Sequence, residues 1–310
     1  MVAMSSRCRT ARRSSSRAWW GSSAKREELP ARGGTDPTCC GSLPAAPTER
    51  WWEARGGQAL PPNAARVSDY LLGGTQHLPA DRAFARALEE RAPDVRGVCR
   101  AIRAFLGRAA VFSLQRGIHQ FLVLGEGLVA DGDVLEVARV LDPTVRIAVV
   151  DSDPVTTAVN HTRLLLVPGA VAARADLSRP AQVLQLPDVQ AVLDLSRPVT
   201  VLLGGALAAL WDLDDPCGVV TGYAAGLSAG SYLVTWHASG DNWSHAERAA
   251  SLWAEHVGPA PLWSRGQMQD CLSGLDLAAP GIVDATAWHP RRATPARGER
   301  PGAYAAVARL

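Results

Sequence analysis

Lysine is nearly missing from this chain: Lys25 is the one lysine among 32 basic residues, and with abundant Ala, Gly and Pro this reflects genome composition rather than mechanism. Charge of one sign is also scarce. A formal net charge of +2 over 310 residues is too small to mark a nucleic-acid or membrane-surface binder. No run of 18 apolar residues occurs, which removes a membrane-spanning helix; the longest apolar stretch, Val199 to Trp211, is broken by Gly204-Gly205 and reads as a buried strand followed by a loop. No C-x-x-C pair exists among Cys8, Cys39, Cys40, Cys99, Cys217 and Cys271. Zinc-ribbon and thioredoxin-type sites are therefore excluded, no metal is expected, and the cysteines read as reduced, mostly buried thiols of a cytoplasmic protein.

Residues 1–62 lack any helical or strand period and hold nine Arg and one Lys against five acidic residues. They read as a disordered leader, or as the product of a start codon placed too far upstream. Order is expected from Asn63. Ala64 to Leu72 has helical spacing and stops at Gly73-Gly74, a C-cap signature. Asp81 to Glu90 and Val95 to Arg116 follow as helices, so that 63–116 forms an N-terminal helical lid segment and 117–310 a second unit.

From residue 117 the pattern becomes strand, turn, helix, repeated. Strands are expected at Gln120–Leu124, Arg146–Val150, Val171–Ala173, Val199–Leu203, Ser231–Trp236, Ile282–Ala285 and Tyr304–Arg309. Helices are expected at Asp133–Leu141, Val155–Leu166, Pro216–Leu227 and Trp243–His256, with a polar helical stretch after Asp176. Short apolar strands alternating with such helices indicate an α/β, doubly wound, mostly parallel sheet. The strands are apolar throughout because both faces of such a sheet are covered.

Ligands of open α/β sheets bind beyond the carboxyl ends of the strands. The first strand runs into Gly125-Glu126-Gly127-Leu128, where glycines allow a sharp turn and close approach of backbone to ligand. Asp151 ends the second strand, 24 residues past Gly127, and is placed to accept hydrogen bonds from both hydroxyls of an adenosine ribose. Asp153, ahead of Pro154, reads as the cap of the next helix. Asp176, after the third strand, is a candidate acceptor for an adenine amine or a solvated loop acid. Ser152 and Leu177, beside these acids, complete the candidate set. The loop lacks the third glycine used for dinucleotide pyrophosphate, which favours S-adenosylmethionine over NAD.

The chain from Ala65 to Leu310 resembles an actinobacterial family of S-adenosylmethionine-dependent methyltransferases first catalogued as a domain of unknown function. The matching stretches include Ala65-Arg66-Val67, Asp69-Tyr70-Leu71-Leu72-Gly73-Gly74, Ala80-Asp81-Arg82, Arg103-Ala104-Phe105-Leu106-Gly107-Arg108 and Gly125-x-Gly127-Leu128. Further along they are Glu136-Val137-Ala138, Val150-Asp151-x-Asp153-Pro154, Ala175-Asp176-Leu177, Ser231-Tyr232-Leu233-Val234 with His237-Ala238, and Gly281 with Trp288. The resemblance implies a Rossmann-like class I fold of seven strands, the last antiparallel, with an N-terminal helical segment closing over the cofactor. The chain departs from the family's pattern at four places. Val123 replaces the usual acid and Glu126 a small loop residue. Thr75-Gln76-His77 replaces Lys-Asp-Asn, and Ala208-Ala209-Leu210-Trp211 follows the fourth strand. Val123 removes an anchor for the cofactor's amino group, while Glu126 adds a negative charge near its carboxylate unless the side chain turns away or pairs with Arg.

Candidate general bases are His237, after the fifth strand, and His77, on the lid segment. Arg66, Tyr70, Trp211 and Trp236 are candidate substrate contacts, with Arg82 and Trp243 beside them. The leading reading is a methyltransferase acting on a small molecule in secondary metabolism. The alternative is a member that has lost catalysis and serves as a cofactor-binding or partner-binding subunit.

Overall fold

The computed structural model describes residues 60–130, 132–210, 215–289, 298 and 300–310. Nearly all of the expected leader, and Trp211, lie outside the described residues. Three helices come first: α1 (Ala64–Leu72), α2 (Pro79–Arg91) and α3 (Val95–Leu114). The alternating part then runs β1 (Gln120–Leu124), α4 (Val134–Leu141), β2 (Arg146–Asp151), α5 (Pro154–Leu164), β3 (Ala170–Arg174), α6 (Pro180–Leu184), α7 (Pro187–Val192) and β4 (Thr200–Leu203). It continues with α8 (Gly205–Ala209), α9 (Pro216–Ala225), β5 (Tyr232–Ala238), α10 (Ala246–His256), α11 (Arg265–Cys271), β6 (Asp276–Leu277), β7 (Val283–Asp284) and β8 (Ala303–Arg309).

The sheet order is β3-β2-β1-β4-β5-β8-β6, with β7 also paired to β8. Strands β1 to β5 are parallel, and β8 is antiparallel to its neighbours. Successive residues of a strand point to opposite faces. Leu122 and Leu124 of β1 therefore join one core with Val183, Val189, Val220 and Tyr223 from α6, α7 and α9. Phe121 and Val123 join the other, with Phe105 and Phe112 of α3 and Ala138 of α4. Apolar side chains on both faces explain the strands' lack of alternation. Each fully buried Leu or Phe contributes about 1.5–3 kcal/mol.

Three expectations are corrected. The strand expected at Ile282–Ala285 is β7, Val283–Asp284, and a further short strand, β6 at Asp276–Leu277, precedes it, giving eight strands instead of seven; both pair with β8. Between them a turn closes from Gly281 N–H to the Ala278 carbonyl, and Pro280 has no N–H with which to continue the ladder. The stretch after Gly204 is not loop but the short helix α8. Finally, Cys217 and Cys271 are joined as a disulfide, not separate reduced thiols. Packing of α9 beside α11 brings their Cα atoms to 4.9 Å across 54 residues of sequence, within bridging range. Cys99 is free, and burial pushes its thiol up to about 11.

Helix α3 packs beside α4 on the sheet face that carries Phe121 and Val123. Its Phe105 and Phe112 meet the fully buried Trp288 edge-on, with ring centroids 5.3 and 5.4 Å away. Helix α2 packs on α10 through Phe84 and Trp253, 5.8 Å between centroids. No described helix is long and apolar enough to cross a membrane.

Candidate functional site

From β1 the chain winds outward to β2 and β3, and from β4 outward the other way. The point of reversal is therefore between β1 and β4, where open α/β sheets form their ligand crevice. The glycine loop sits at that point. Gly125 has φ +62° and donates its N–H to the Val150 carbonyl at 2.9 Å. A side chain there would also collide with Ala206 of α8, whose Cβ lies 2.7 Å from the position of a Gly125 Cβ; only glycine meets both demands. Gly127 lies against Ala65 of α1, so the first N-terminal helix rests directly on the loop.

Asp151, at the tip of β2, is half-buried and accepts the Asp153 N–H at 2.8 Å through Oδ1. Its Oδ2 takes no hydrogen bond among the described residues. Burial, with Asp153 nearby, pushes its carboxyl up to about 6. Asp153 is the cap of α5, accepting from Thr156 N at 2.7 Å and Thr156 Oγ1 at 2.6 Å. Ser152 is exposed between them, its carbonyl accepting from Arg174 Nε at 3.1 Å.

Asp176 is differently placed. It is exposed; Oδ1 accepts from Ser178 N and Oγ, and Oδ2 from Arg179 Nε at 3.2 Å. These hydrogen bonds, Ser178 foremost, lower its carboxyl. It closes its own turn, the solvated-loop arrangement, with each oxygen already accepting at least one hydrogen bond. Leu177 is buried, against Gly125, and its carbonyl accepts the Tyr223 hydroxyl at 2.9 Å.

Glu126 neither turns outward nor pairs with an arginine. Its side chain reaches across the reversal point to the tips of β4 and β5. Oε1 accepts from Gly204 N at 2.9 Å and Gly205 N at 3.2 Å, and Oε2 from Trp236 Nε1 at 3.0 Å. Gly204 permits this because any Cβ there would run into the Trp236 indole. Loss of water pushes the Glu126 carboxyl up, against the lowering effect of the Trp236 and glycine N–H groups. Trp236 is thus tied to the glycine loop. Val123 is buried among apolar neighbours on the sheet face shared with α3 and α4.

Among the remaining candidates, Arg66 is committed within the N-terminal helices. Its Nε donates to Asp81 Oδ2 at 2.7 Å, both side chains being buried, and its Nη2 to the Pro61 carbonyl at 2.9 Å. Arg66 therefore does not present its charge to a substrate. Tyr70 is stacked under the Arg96 guanidinium, 4.8 Å from its centroid, and meets the His77 ring edge-on at 5.0 Å. His77 Nδ1 faces Asp69 Oδ2 at 3.2 Å. His237 is buried and stacked on Trp263, 4.4 Å between centroids, and burial pushes its imidazole down to about 4. Trp263, on which it stacks, belongs to the core on the face opposite to Trp236. Trp243 donates to Asp94 at 3.0 Å, pinning its loop to the start of α3 rather than lining the crevice.

One residue escaped sequence reasoning. Asn160, in the middle of α5 and fully buried, donates from Nδ2 to the Gly127 carbonyl at 2.9 Å. Its Oδ1 accepts the Val129 N–H at 2.8 Å. An asparagine inside a helix, a poor helix former with a strong appetite for backbone groups, was the available signal.

Comparison with known proteins follows the same lines. The family model described as "S-adenosyl methyltransferase" matches residues 52–310. A solved structure of a DUF574 family protein from Streptomyces avermitilis is 31% identical, with a TM-score of 0.74 over 80% of this chain and 97% of that one. A candidate methyltransferase from Thermobifida fusca is 29% identical, with a TM-score of 0.73 over 80% of this chain and 95% of that one. A search of curated proteins found no match. With a glycine loop and an acid on the tips of β1 and β2, and a family match over most of its length, the chain belongs to the S-adenosyl methyltransferase family, class I enzymes that use S-adenosylmethionine.

Proposed function

We propose that this enzyme methylates a small molecule in secondary metabolism, with the cofactor's ribose held by Asp151 above the Gly125–Gly127 loop. The observation that carries the reading is the open Oδ2 of Asp151, a half-buried acceptor beside a loop whose backbone a ligand can approach closely. The bound cofactor supplies a methyl group on a sulfonium. The chain's task is then mainly alignment, since an in-line displacement needs the two reactants held in register.

The residues available for that task surround the loop. Asp151 orients the sugar, Leu177 offers an apolar wall beside Gly125, and α1 closes from above through Ala65. Helices α1 and α2 form the lid in this reading, while α3 packs on a face of the sheet. The weak net charge of +2 favours a small acceptor over nucleic acid, and the absence of any described helix able to cross a membrane fits a cytoplasmic enzyme.

If the acceptor is an oxygen or carbon nucleophile, His77 is the better oriented base. With its Nδ1–H donating to Asp69, its Nε2 is left as the proton acceptor. His77→Ala then lowers kcat by about 100-fold with little change in cofactor affinity, as general-base catalysis contributes on the order of 10²–10⁴; an unchanged kcat removes His77 from the chemistry. The decisive test of the cofactor site is calorimetry. Removing a hydrogen-bonded charge costs about 1.5–3 kcal/mol, so Asp151→Ala weakens S-adenosylmethionine binding about tenfold or more. Unchanged affinity removes Asp151 from the site.

A further inference from the structure

Glu126 is the feature that cofactor positioning by Asp151 leaves unexplained. A glutamate carboxylate has room for about four hydrogen bonds, and this one receives three, two at Oε1 and one at Oε2. All three donors are neutral N–H groups. No salt bridge joins Glu126 to a basic side chain among the described residues, although the charge of Arg103 on α3 favours its ionised form. Around it the contacts of the loop are apolar, Ala206 on one side and Leu177 beyond Gly125. The carboxylate is held, partly dried, and without a salt-bridge partner among the described residues.

Its position gives that charge a direction. Asp151 stands on the β2 side of the glycine loop, and Glu126 reaches to the β4 and β5 side. A nucleoside whose sugar lies at Asp151 extends its other end over the loop toward Glu126. We infer that Glu126 is a charge-reading residue of the cofactor site, which favours the sulfonium of S-adenosylmethionine over the neutral thioether of S-adenosylhomocysteine. The two ligands share the ribose and adenine, so Asp151 cannot distinguish them. They differ by one methyl group and one positive charge at sulfur, and a desolvated carboxylate responds to that charge more strongly than one in water. The consequence is easier release of product than of cofactor.

This inference rests on the proposed cofactor site, and the two fail differently. The experiment is calorimetry of the full chain with S-adenosylmethionine, S-adenosylhomocysteine and sinefungin, in which an amine-bearing carbon replaces the sulfur. In the unaltered protein both cationic ligands bind more tightly than S-adenosylhomocysteine. In Glu126→Gln the preference falls about tenfold, equivalent to about 1.4 kcal/mol, mostly through weaker binding of the cations while S-adenosylhomocysteine affinity holds. An unchanged preference, or equal losses for all three ligands, overturns the inference and leaves the cofactor site standing. Should Glu126→Gln not fold, the unaltered protein decides: sinefungin binding no better than S-adenosylhomocysteine overturns the inference. Failure of all three ligands to bind the unaltered protein brings down the cofactor site and the inference with it.

Discussion

The N-terminal helices and the strand tips both hold carboxylates out of water, but they treat them oppositely. In the helices the fully buried Asp81 is answered by a guanidinium. Asp81 accepts from Arg66, Leu78 N and Asn63 N, and Asp69 from Gln76 N with His77 facing it. At the strand tips Asp151 keeps an oxygen open and Glu126 accepts hydrogen bonds only from neutral N–H groups among the described residues. Answered charges are architecture, because removing one partner strands the other. Unanswered ones are a standing cost to the fold, which the proposed cofactor site would offset when a ligand completes them.

The sharpest way to break this contrast is Asp81→Ala. It leaves Arg66 buried and unpaired, and breaking a buried pair costs about 3–5 kcal/mol; urea unfolding should show that loss or outright failure to fold. A loss under 1 kcal/mol, the range of exposed pairs, would dissolve the distinction. Next is the pair of strand-end acids: the tenfold or greater loss of cofactor affinity for Asp151→Ala set against less than about twofold for Asp176→Ala, whose oxygens are already taken by Ser178 and Arg179. Equal effects would mean that Asp176 leaves its turn to meet the ligand.

The smallest effect carries the most information about cost. Asp151 is raised to about 6 in the folded protein, against about 3.9 when unfolded. Between those values the folded state binds the extra proton, so its stability rises as pH falls from above 6 toward 4. Asp151→Asn keeps an oxygen for the Asp153 N–H and removes the ionisation cost. The ligand-free variant should therefore be more stable than the parent by about 1–2 kcal/mol at pH 7.5, discounted for partial exposure, with the gap closing near pH 4. Urea melts across that range check it; a variant less stable at pH 7.5 would show that Asp151 is not a cost to the empty fold.

Much of this was readable from local pattern. Helix α1 and strand β1 stand where apolar spacing puts them, Ala64–Leu72 and Gln120–Leu124, because each signal is complete within its own few residues. The capping role of Asp153 was readable too, since a cap announces itself by Pro154 directly after it. What failed was whatever depends on residues far off in sequence. The direction of Glu126 is set by Gly204 and Trp236, 78 and 110 residues away. The pairing of Cys217 with Cys271 needs α9 beside α11, and Arg66 carries no mark of the buried acid that claims it. Two-residue strands such as β6 have too little periodicity to be seen at all.

Asn160 gives the glycine loop a property of its own. By clasping the backbone on either side of Leu128 from inside α5, it fixes the cradle before any nucleoside arrives. Arrival then demands no rearrangement of the loop, and ordering free energy is not subtracted from affinity. Discrimination among nucleosides accordingly belongs to the side chains above the cradle, and changing those should retune choice of ligand without disturbing the shape that receives it.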